Sequence, residues 1–466
     1  MSIESMAPET AGRRERSIPV PYFADPCSLY DRIRSLGQAV LLDSGDDASR
    51  GRFDIVAAQP DASRGLRLEA GCSGEALHEA LSGWQRMAEE QAPSSPLRDL
   101  PFTGGYIGHF SYELGRRLLK LPATSPGALP IAVVHYYPWA VVQDRLEQKS
   151  WLVGEPDAVD GITDTVQNLL GNGEASESPP GFRLEEPFRH PWSLEAYRQC
   201  FEKVKHYIAS GDCYQINIGQ PFSAAFTGDL FQAYRQLRAI AKAPFSGFFP
   251  LARDHALLCL SPERFLTADQ GRVETRPIKG TRPRHENAET DQAQAQALMG
   301  SPKERAENLM IVDLLRNDIG RYCRPGTVRA DELFSLESYS TVHHLVSVVT
   351  GELAPGRSAL DLLLGCMPGG SITGAPKRRA MEIINELEPA PRQSWCGALF
   401  YLSRHGRLDS NITIRTLYNT GDMLHCWAGG GLVDDSRLEA EYQEQRDKVG
   451  AFLTALEKTL SSDGHP

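Results

Sequence analysis

The chain has 466 residues, 41% of them hydrophobic, and a formal net charge of −11. That length is enough for a large core, and the acidic balance makes nucleic acids and anionic membranes poor partners. Nine scattered cysteines with no C-x-x-C pair argue against a disulfide framework or a zinc site and are typical of a reducing compartment. With no signal peptide and no run of about 18 apolar residues, the sequence predicts a soluble, cytoplasmic protein.

Short apolar runs characterise the first part of the chain. Residues 1–16 are polar, and we expect them to form a disordered N-terminal extension. The next region, 17–171, contains runs that are rich in β-branched and aromatic residues and bounded by Gly, Pro or Asp, a pattern that indicates strands. The stretch 172–191 is rich in Gly, Glu, Ser and Pro and predicts an exposed linker. The clearest predicted strands are 39–42, 53–57, 104–108 and 131–134.

The second region, 192–458, opens with a predicted helix and is followed by a short C-terminal tail, 459–466. Ser193 can cap this helix, and apolar residues from Tyr197 to Ile208 follow at helical spacing. Further strands are predicted at 215–218 and 256–260. Strands and helices are intermixed without strict alternation, which favours an α+β fold over a doubly wound sheet.

Two carboxylate pairs are candidates for a metal site. Glu304 and Glu307 are three residues apart, and so are Glu441 and Glu444, so each pair lies on one face of a predicted helix. If the two faces meet, they form an oxygen-rich site that suits Mg²⁺, which is a hard cation. Spacing does not determine which member of each pair would contact the metal.

Helix stability offers another explanation of the same residues. Ser301 and Glu304 form a capping-box pattern with Pro302 at the first helical position. Glu444 and Lys448 form an i,i+4 ion pair in the favourable order. Exposed helix faces often carry such charges, so both interpretations stay open on spacing alone.

Two glycine-rich segments are candidate anion sites. The segment 368–377 (PGGSITGAPK) resembles a P-loop superficially but lacks the Lys-Ser/Thr ending. A glycine-rich turn before a helix near Pro376 still presents N–H groups and a positive helix end to a carboxylate or a phosphate. Gly429–Gly431 is a second, weaker predicted turn. The alternative is that both are tight turns that need glycine for their conformation alone.

Lys279 is the candidate nucleophile. It lies close in sequence to Arg276, Arg282 and Arg284. Cations that share a desolvated pocket lower the pKa of a lysine and supply the free amine that attack needs, whereas most lysines are solvated surface charges. Glu263 ends an apolar predicted strand, where it is either an ion-pair partner or a general acid.

These segments, in this order, resemble the chorismate-utilising enzymes, which include the anthranilate, aminodeoxychorismate, isochorismate and salicylate synthases. The resemblance covers about residues 190–455 and reaches the N-terminal region through 41–44 and 52–56. It implies an α+β fold in which two β-sheets pack in a sandwich with helices on the outside. The matching motifs are SPERF (261–265), PIKGT (277–281), ENLMIVDLLRND (307–318), VHHLVS (342–347), GSITGAPK (370–377), ITIRT (412–416) and EYQE (441–444).

The resemblance also implies roles for these residues. Glu307 and Glu444 would hold Mg²⁺, with Glu304 and Glu441 helping directly or through water, and the metal would neutralise the ring carboxylate of chorismate. Glu263 would protonate the departing C4 hydroxyl. The residues implied to bind substrate are Arg415, Ser371, Lys448, Gly429, Gly430 and Gly431 at the carboxylates, His344 beside the ring, and Thr281, Gln215 and Trp395 in the same site.

Two positions discriminate the chemistry within the family. Lys279 stands where most members have alanine and is implied to mark the aminodeoxychorismate synthases, aminotransferring enzymes that feed p-aminobenzoate and folate biosynthesis. By this resemblance, Lys279 attacks C2 of chorismate as the C4 hydroxyl leaves, and ammonia then adds at C4 to give 4-amino-4-deoxychorismate. Gln215 stands where isochorismate and salicylate synthases have a lysine that activates water, and glutamine cannot act as that base. In addition to these two positions, Trp395 stands where the resemblance implies a tyrosine in anthranilate synthases.

Two other functions are considered: an anthranilate synthase large subunit, and a catalytically inactive tryptophan-binding subunit. No cysteine lies in a nucleophile-elbow pattern, so the family resemblance implies a separate glutamine amidotransferase subunit that delivers ammonia. Arg437-Leu438 replaces the usual Asp-Pro before the last helix and leaves both glutamates of that helix in register.

The N-terminal match implies a pocket for bound L-tryptophan between the two regions, for which the alternative is a plain packing interface. Its implied lining is Ser44, Arg50, Gly51, Arg52, Phe53, Phe245, Ser246 and Gly247.

Overall fold

The structure is a computed structural model that describes residues 15–45, 51–89, 97–122, 127–171, 180–338 and 342–460. Parts of three segments predicted above lie outside the described residues, namely 1–14, 172–179 and 461–466, and so does Arg50. The first strand begins at Arg16, the last residue of the predicted extension.

The helices follow one another along the chain as α1 (Pro26–Ile33), α2 (Gly74–Glu89), α3 (Tyr112–Leu118), α4 (Pro156–Gly171), α5 (Leu194–Ala209), α6 (Leu230–Ala241), α7 (Ala288–Met299), α8 (Pro302–Gly320), α9 (Ala359–Cys366), α10 (Lys377–Leu387) and α11 (Leu438–Glu457). Two short 3₁₀ helices span Arg34–Leu36 and Gly370–Ile372.

The strands are β1 (Arg16–Val20), β2 (Val40–Asp43), β3 (Phe53–Ala57), β4 (Asp61–Leu68), β5 (Gly105–Phe110), β6 (Ala132–Tyr137), β7 (Trp139–Asp144), β8 (Lys149–Gly154), β9 (Arg183–Leu184), β10 (Gln215–Thr227), β11 (Phe245–Ala252), β12 (His255–Ser261), β13 (Arg264–Asp269), β14 (Arg272–Thr275), β15 (Ile278–Pro283), β16 (Arg329–Ser338), β17 (Val342–Glu352), β18 (Gly374–Ala375), β19 (Ala398–Ser403), β20 (Leu408–Ile412), β21 (Thr416–Thr420) and β22 (Met423–Leu432).

The strands form two large sheets. The first has 12 strands in the order β1-β8-β7-β3-β2-β11-β12-β21-β22-β10-β18, and β9 pairs with β10 off this path. The second has 10 strands in the order β15-β17-β14-β13-β20-β19-β5-β6-β4, and β16 pairs with β17. Neighbouring strands are antiparallel, for example at β10–β22 and β15–β17. The predicted α+β class with two sheets is therefore confirmed.

Both sheets combine strands from the two sides of the segment 172–191. In the first sheet, Leu42 of β2 pairs with Gly247 of β11. In the second sheet, Tyr106 of β5 pairs with Leu402 of β19. Each sheet is therefore complete only when both regions of the chain contribute to it.

The alternation of side chains along the strands builds two apolar layers. Val40 of β2 belongs to the core that also contains Tyr106 and Phe400 of the second sheet, whereas its neighbour Leu41 packs in the same cluster as Leu29 of α1. Successive strand residues point to opposite faces. One layer thus lies between the two sheets, and the other lies between the first sheet and helices that include α1, α4, α6 and α11.

Several predicted elements are confirmed and one is wrong. Helix α5 follows Ser193, whose hydroxyl accepts a hydrogen bond from the Ala196 N–H at 3.2 Å. The run 53–57 forms β3 as predicted. The predicted turn at Gly429–Gly431 is wrong, because these glycines lie in β22 and pair in register with β10. None of the helices in the described ranges is long and apolar enough to cross a membrane.

Candidate active site

Strand β15 carries Lys279 alongside β17. Thr281 pairs with His344 across this ladder, and Thr281 Oγ1 lies 2.9 Å from His344 Nδ1. The ladder is irregular between Lys279 and Thr281, where Gly280 has a φ of +80°, a conformation that favours glycine. A Cβ on Gly280 would lie 2.9 Å from Oε2 of Glu304. The irregularity therefore brings helix α8 close to the strand that carries Lys279.

The surroundings of Lys279 favour a neutral amine. Burial is the main cause that lowers the pKa of its ammonium group; Glu307, Glu263 and Glu444 act to raise this pKa, and Lys448 acts to lower it. These interactions show that all four charged side chains lie near the lysine. Because desolvation outweighs the carboxylates, Lys279 has a larger fraction of the nucleophilic free base than an ordinary lysine.

The arginines that are close to Lys279 in sequence are not responsible for this shift, which corrects the explanation expected from the sequence. Each guanidinium is paired with a carboxylate of its own, and the cation that acts on Lys279 is Lys448. The pairs are Arg276 with Glu337 at 2.7 Å, Arg282 with Glu304 at 3.3 Å, and Arg284 with Asp291 at 2.9 Å.

Glu263 follows β12 and is buried against the 3₁₀ helix Gly370–Ile372. The Ser371 hydroxyl donates a hydrogen bond to Glu263 Oε1 at 2.7 Å. Burial raises the pKa of Glu263, while Ser371 and Lys279 act in the opposite sense. A carboxyl group with a raised pKa keeps its proton to higher pH, which is what a general acid requires.

Helices α8 and α11 contribute the four predicted glutamates from their N-terminal parts. Burial raises the pKa of Glu307, and the neighbouring Glu304 carboxylate raises it further. Burial and the Glu444 carboxylate likewise raise the pKa of Glu441. A divalent cation relieves this kind of repulsion, and carboxylate oxygens are ligands that Mg²⁺ accepts. The donor set and its electrostatics thus fit Mg²⁺.

Each of these carboxylates also has a cation or a hydroxyl beside it. Lys448, 2.8 Å from Glu444, lowers the pKa of that carboxyl group against the effect of burial. Within the described ranges, no group of three or more His, Cys, Asp or Glu side chains is gathered closely enough to hold a metal ion. A metal would therefore have to replace some of these contacts. The other partners are Lys303 for Glu307 at 3.9 Å, Arg282 for Glu304 at 3.3 Å and Ser436 for Glu441 at 2.7 Å.

The helix-stabilising contacts expected from the sequence are present as well. The Ser301 hydroxyl accepts a hydrogen bond from the Glu304 N–H at 3.3 Å, and Glu444 pairs with Lys448. Lys303 was not identified as a site residue, although its i,i+4 spacing from Glu307 was a usable signal. The glutamates of α8 and α11 can therefore stabilise their helices and also lie near Lys279.

Arg415 is a cation suited to an anionic ligand. It precedes β21 with a φ of +49°, and its carbonyl accepts a hydrogen bond from Leu260, three residues before Glu263, at 3.2 Å. Burial lowers the pKa of its guanidinium, and no carboxylate among the described residues offsets that effect. A desolvated arginine without a protein carboxylate can bind a substrate carboxylate in bidentate fashion.

The glycines of β22 allow other site residues to approach both faces of the strand. A Cβ on Gly431 would lie 2.8 Å from Gln215 Nε2, and a Cβ on Gly430 would lie 3.3 Å from Glu441 Oε2. The Gly429 carbonyl accepts a hydrogen bond from Lys448 at 2.9 Å. Close approach of side chains, rather than a turn conformation, explains why these positions are glycine.

Two buried amides on β10 have unused hydrogen-bonding capacity. Gln215 is 1% exposed, and neither of its amide atoms has a partner among the described residues. Asn217 lies on the same face, and its Oδ1 also has no partner in the described part of the chain. The Asn217 N–H donates to the Thr373 carbonyl at 2.8 Å, two residues from Ser371. Buried amides of this kind need a partner, so a ligand is the expected one. Asn217 is not among the predicted site residues, although its i+2 spacing from Gln215 indicates a shared face.

Trp395 packs against the same strands. Its ring stacks on Trp427 with centroids 5.2 Å apart and an interplanar angle of 16°. A Cβ on Gly429 would lie 2.7 Å from the Trp395 ring. The Arg392 guanidinium lies 4.6 Å from the centroid of the Trp395 ring. Packing on several sides therefore fixes the orientation of this indole.

A separate cavity of about 360 Å³ lies between the first and second sheets. Gly247 is in the β2–β11 ladder beside the cavity and is not one of its lining residues, while Arg50 lies outside the described residues. The remaining residues of the predicted tryptophan pocket do line it, namely Ser44, Gly51, Arg52, Phe53, Phe245 and Ser246.

Comparison with known proteins identifies the family. Residues 38–454 match the family model described as chorismate binding enzyme. The chain belongs to this family. It is 45% identical over 453 residues to aminodeoxychorismate synthase component 1 of Klebsiella aerogenes, covering 94% of this chain and 98% of that protein. It is 44% identical over 451 residues to the protein of the same name from Salmonella typhimurium, again covering 94% and 98%.

A solved crystal structure has the same fold. The crystal structure of anthranilate synthase component I from Streptococcus pneumoniae aligns with a TM-score of 0.71 and 29% identity, over 86% of this chain and 92% of that one. The predicted family and fold are thus confirmed.

Proposed function

We propose that this chorismate binding enzyme converts chorismate and ammonia to 4-amino-4-deoxychorismate, a step toward p-aminobenzoate and folate. The observation that carries the proposal is Lys279, a lysine with a lowered pKa that lies near Glu263, Glu307 and Glu444. The names of relatives that share 44% and 45% identity over nearly the whole chain support the same activity.

The first chemical step would be displacement of the C4 hydroxyl by Lys279. Its neutral amine attacks C2, both ring double bonds shift (C1=C2 becomes C1=C6 and C5=C6 becomes C4=C5), and the C4–O bond breaks. Glu263 donates its proton to the departing oxygen, which leaves as water, and the lysine becomes bonded to C2. The hydrogen bond from Ser371 to Glu263 then stabilises the carboxylate that remains.

The second step would add ammonia at C4. Its lone pair attacks C4, both ring double bonds shift back, and the C2–N bond breaks, so that Lys279 leaves as a neutral amine. The new ammonium group at C4 returns one proton to the Glu263 carboxylate, which resets the acid. The balance is one chorismate and one ammonia consumed, with one 4-amino-4-deoxychorismate and one water formed.

The remaining side chains would bind and orient the substrate. Glu307 and Glu444, with Glu304 and Glu441 assisting, would hold Mg²⁺, which when bound would neutralise the ring carboxylate. The other proposed contacts are Arg415, Ser371, Lys448 and the strand Gly429–Gly431 to the carboxylates, and His344, Thr281, Gln215 and Trp395 around the ring.

A separate glutamine amidotransferase would supply the ammonia. The word "component 1" in the names of both relatives implies a second component for those proteins. An ammonium salt should replace that partner in an assay, because the proposed chemistry uses only the ammonia that the partner releases.

The product identifies the reaction. The chain is incubated with chorismate, Mg²⁺ and ammonium chloride, and the products are separated by chromatography and identified by mass. We expect 4-amino-4-deoxychorismate without pyruvate. Anthranilate and pyruvate in the absence of any added lyase would show instead that the chain is an anthranilate synthase.

Covalent attachment tests the role of Lys279 directly. The intact mass of the chain is measured after mixing with chorismate in the absence of ammonium, beside the Lys279→Ala variant. We expect an adduct in the parent only. An inactive tryptophan-binding subunit would give no adduct and would turn chorismate over no faster than Glu307→Ala.

We also infer that the cavity between the sheets binds L-tryptophan. Its volume of about 360 Å³ and its mixed lining of Phe53, Phe245 and Ser246 suit an apolar ring that carries a polar head group. Denaturing the purified protein and assaying the supernatant by chromatography should release tryptophan. A plain packing interface would release none and would show no thermal stabilisation by added tryptophan.

A further inference from the structure

A second cavity, of about 290 Å³, opens at the surface beside α3 and α10. Its rim includes the exposed residues Asn385 and Pro389, whereas its inner lining consists of charged and aromatic side chains. The inner residues are Tyr112, Glu113, Arg116, Glu388 and Arg392. None of them belongs to the substrate site described above.

Two acceptors in this cavity have no partner in the described part of the chain. They are Glu113 Oε2 and the Tyr112 hydroxyl. Glu113 is 9% exposed, and its other oxygen accepts a hydrogen bond from the Gln393 N–H at 3.1 Å. Burial raises the pKa of Glu113 to about 7, although Gln393, Arg116 and Arg392 lower it. One oxygen of this buried carboxylate therefore has no hydrogen-bond donor, and the nearby guanidinium groups only partly offset its burial.

The cations of the same cavity are already engaged. Arg392 donates to both oxygens of Glu388, at 2.6 and 2.9 Å. Arg116 donates to the carbonyls of Pro122 at 2.8 Å and Met381 at 3.4 Å. The groups left over are a carboxylate oxygen, which accepts, and a phenol hydroxyl, which accepts or donates, so both can take a hydrogen bond from a small N–H donor.

Arg392 also separates this cavity from the substrate site. Its guanidinium donates to the Asn217 carbonyl at 2.7 Å and to the Ile372 carbonyl at 2.8 Å. Ile372 is next to Ser371, and Asn217 is on the strand face that has the unpartnered amide of Gln215. One side chain thus stands between the cavity and the two buried amides.

We propose that this cavity is the entry site for ammonium, held by the Glu113 carboxylate and the Tyr112 hydroxyl before ammonia passes Arg392 to Gln215 and Asn217. The ligand class is a small nitrogen donor, because both unpartnered atoms can accept a hydrogen bond and one of them belongs to a carboxylate. The inference rests on the proposed function, in which ammonia is the second substrate.

Steady-state kinetics with ammonium chloride as the nitrogen source test the site. Glu113→Gln removes the charge but keeps the shape, and Ala390→Trp fills the cavity from its rim. We expect each variant to raise KM for ammonium about tenfold, the loss of one charge-assisted contact, with KM for chorismate within about twofold of the parent. Glu75→Gln, an exposed change on α2, is the matched control and should change neither constant.

Thermal unfolding tests ammonium binding without relying on enzymatic turnover. Ammonium chloride should raise the Tm of the parent above its value in tetramethylammonium chloride at equal ionic strength, because a ligand of the folded state stabilises it. That difference should be lost in Glu113→Gln and kept in Glu75→Gln.

The inference is overturned if KM for ammonium is unchanged in Glu113→Gln and Ala390→Trp, or if KM for both substrates rises together, which would indicate a structural role. An equal Tm in the two salts also overturns it. These outcomes are separate from failure of the proposed function, which the identity of the product reveals whatever the ammonium dependence.

Discussion

Lys279 and Glu263 have pKa values that are shifted toward each other. Burial lowers the pKa of the lysine and raises that of the glutamate, since it disfavours the charged form of both. Each also favours the charged form of the other, which limits both shifts. Both shifts favour the neutral amine and the protonated acid, which are the forms that the proposed first step requires.

The Ser371 hydroxyl should set the pKa of the proposed general acid, Glu263. It donates to the ionised carboxylate of Glu263 and so lowers the pKa of that group. We expect the pKa of Glu263 to rise in Ser371→Ala. An infrared titration can follow the protonated carboxyl band that is present in the parent and absent in Glu263→Gln.

Ser371→Thr retains a hydroxyl and serves as the control for this titration. Its midpoint should stay close to that of the parent. A midpoint in Ser371→Ala at or below the parental value would contradict the role given to the hydrogen bond.

Metal affinity should depend on pH and on Lys303. Carboxylates bind a metal only when deprotonated, and the pKa values of Glu307 and Glu441 are raised. An ordinary glutamate has a pKa of about 4.3. As the pH is lowered, the affinity for Mg²⁺ should therefore begin to fall at a higher pH than it would at a site made of ordinary glutamates. Lys303→Met should strengthen binding about two- to fivefold, because it removes a competing partner of Glu307.

Calorimetric titration with MgCl₂ over a series of pH values measures both effects. Lys120→Met, an exposed change outside the glutamate cluster, is the control and should bind as the parent does. Weaker binding in Lys303→Met would show that the lysine supports the site rather than competing with the metal.

At the scale of elements, the paired strands β10 and β22 carry glycines against which larger side chains pack. Gly219 and Gly429 face each other across the two strands, and a Cβ on either glycine would collide with the Trp395 ring. Glycine in a strand costs conformational entropy and gives up packing. Here it leaves room for the Trp395 indole close to the backbone, where it stacks on Trp427.

Gly219→Ala should therefore destabilise the fold. The added methyl group would collide with the Trp395 ring, and overpacking of this kind costs about 1–3 kcal/mol. Denaturant unfolding measures the loss, and near-UV circular dichroism reports on the Trp395–Trp427 stack.

Gly161→Ala is the matched control on an open helix surface. It lies in α4, where an added Cβ meets nothing within 4 Å, so we expect a gain of about 0.5–1 kcal/mol from helix propensity. Equal stability of the parent and Gly219→Ala would mean that the indole can move away at no cost.

At the scale of the whole molecule, the two predicted regions are interdependent. Without residues before the segment 172–191, β11 loses its partner β2 and β19 loses its partner β5. Both edges would expose backbone hydrogen-bonding groups and apolar faces. The change in composition at this segment does not separate two independent sheets, because strands from before and after it pair with each other in both sheets.

Expression of 180–466 alone should yield a fragment that is aggregated or unfolded and does not consume chorismate. Co-expression with 1–179 should restore a complex with the secondary structure of the intact chain. Far-UV circular dichroism and chorismate turnover measure both outcomes. A folded, active fragment would contradict the interdependence of the two regions.

Much of the site could be predicted from the sequence because its motifs are local. Lys279, Glu263 and the glutamate pairs were identified from short segments, and periodicity indicated the helices and strands around them. The resemblance to chorismate-utilising enzymes then supplied the fold and the candidate roles. The comparisons confirm the family and the fold, whereas the activity and the individual roles are proposals.

What only the tertiary structure decided concerns pairs of residues that are distant in the chain. Lys448, rather than the arginines beside Lys279, is the cation near the amine. The glycines at 429–431 belong to a strand, and Glu113 lines a cavity behind Arg392. Sequence determines the type and local spacing of side chains, whereas burial and charge neighbours depend on which strands pair. Here that pairing joins both halves of the chain.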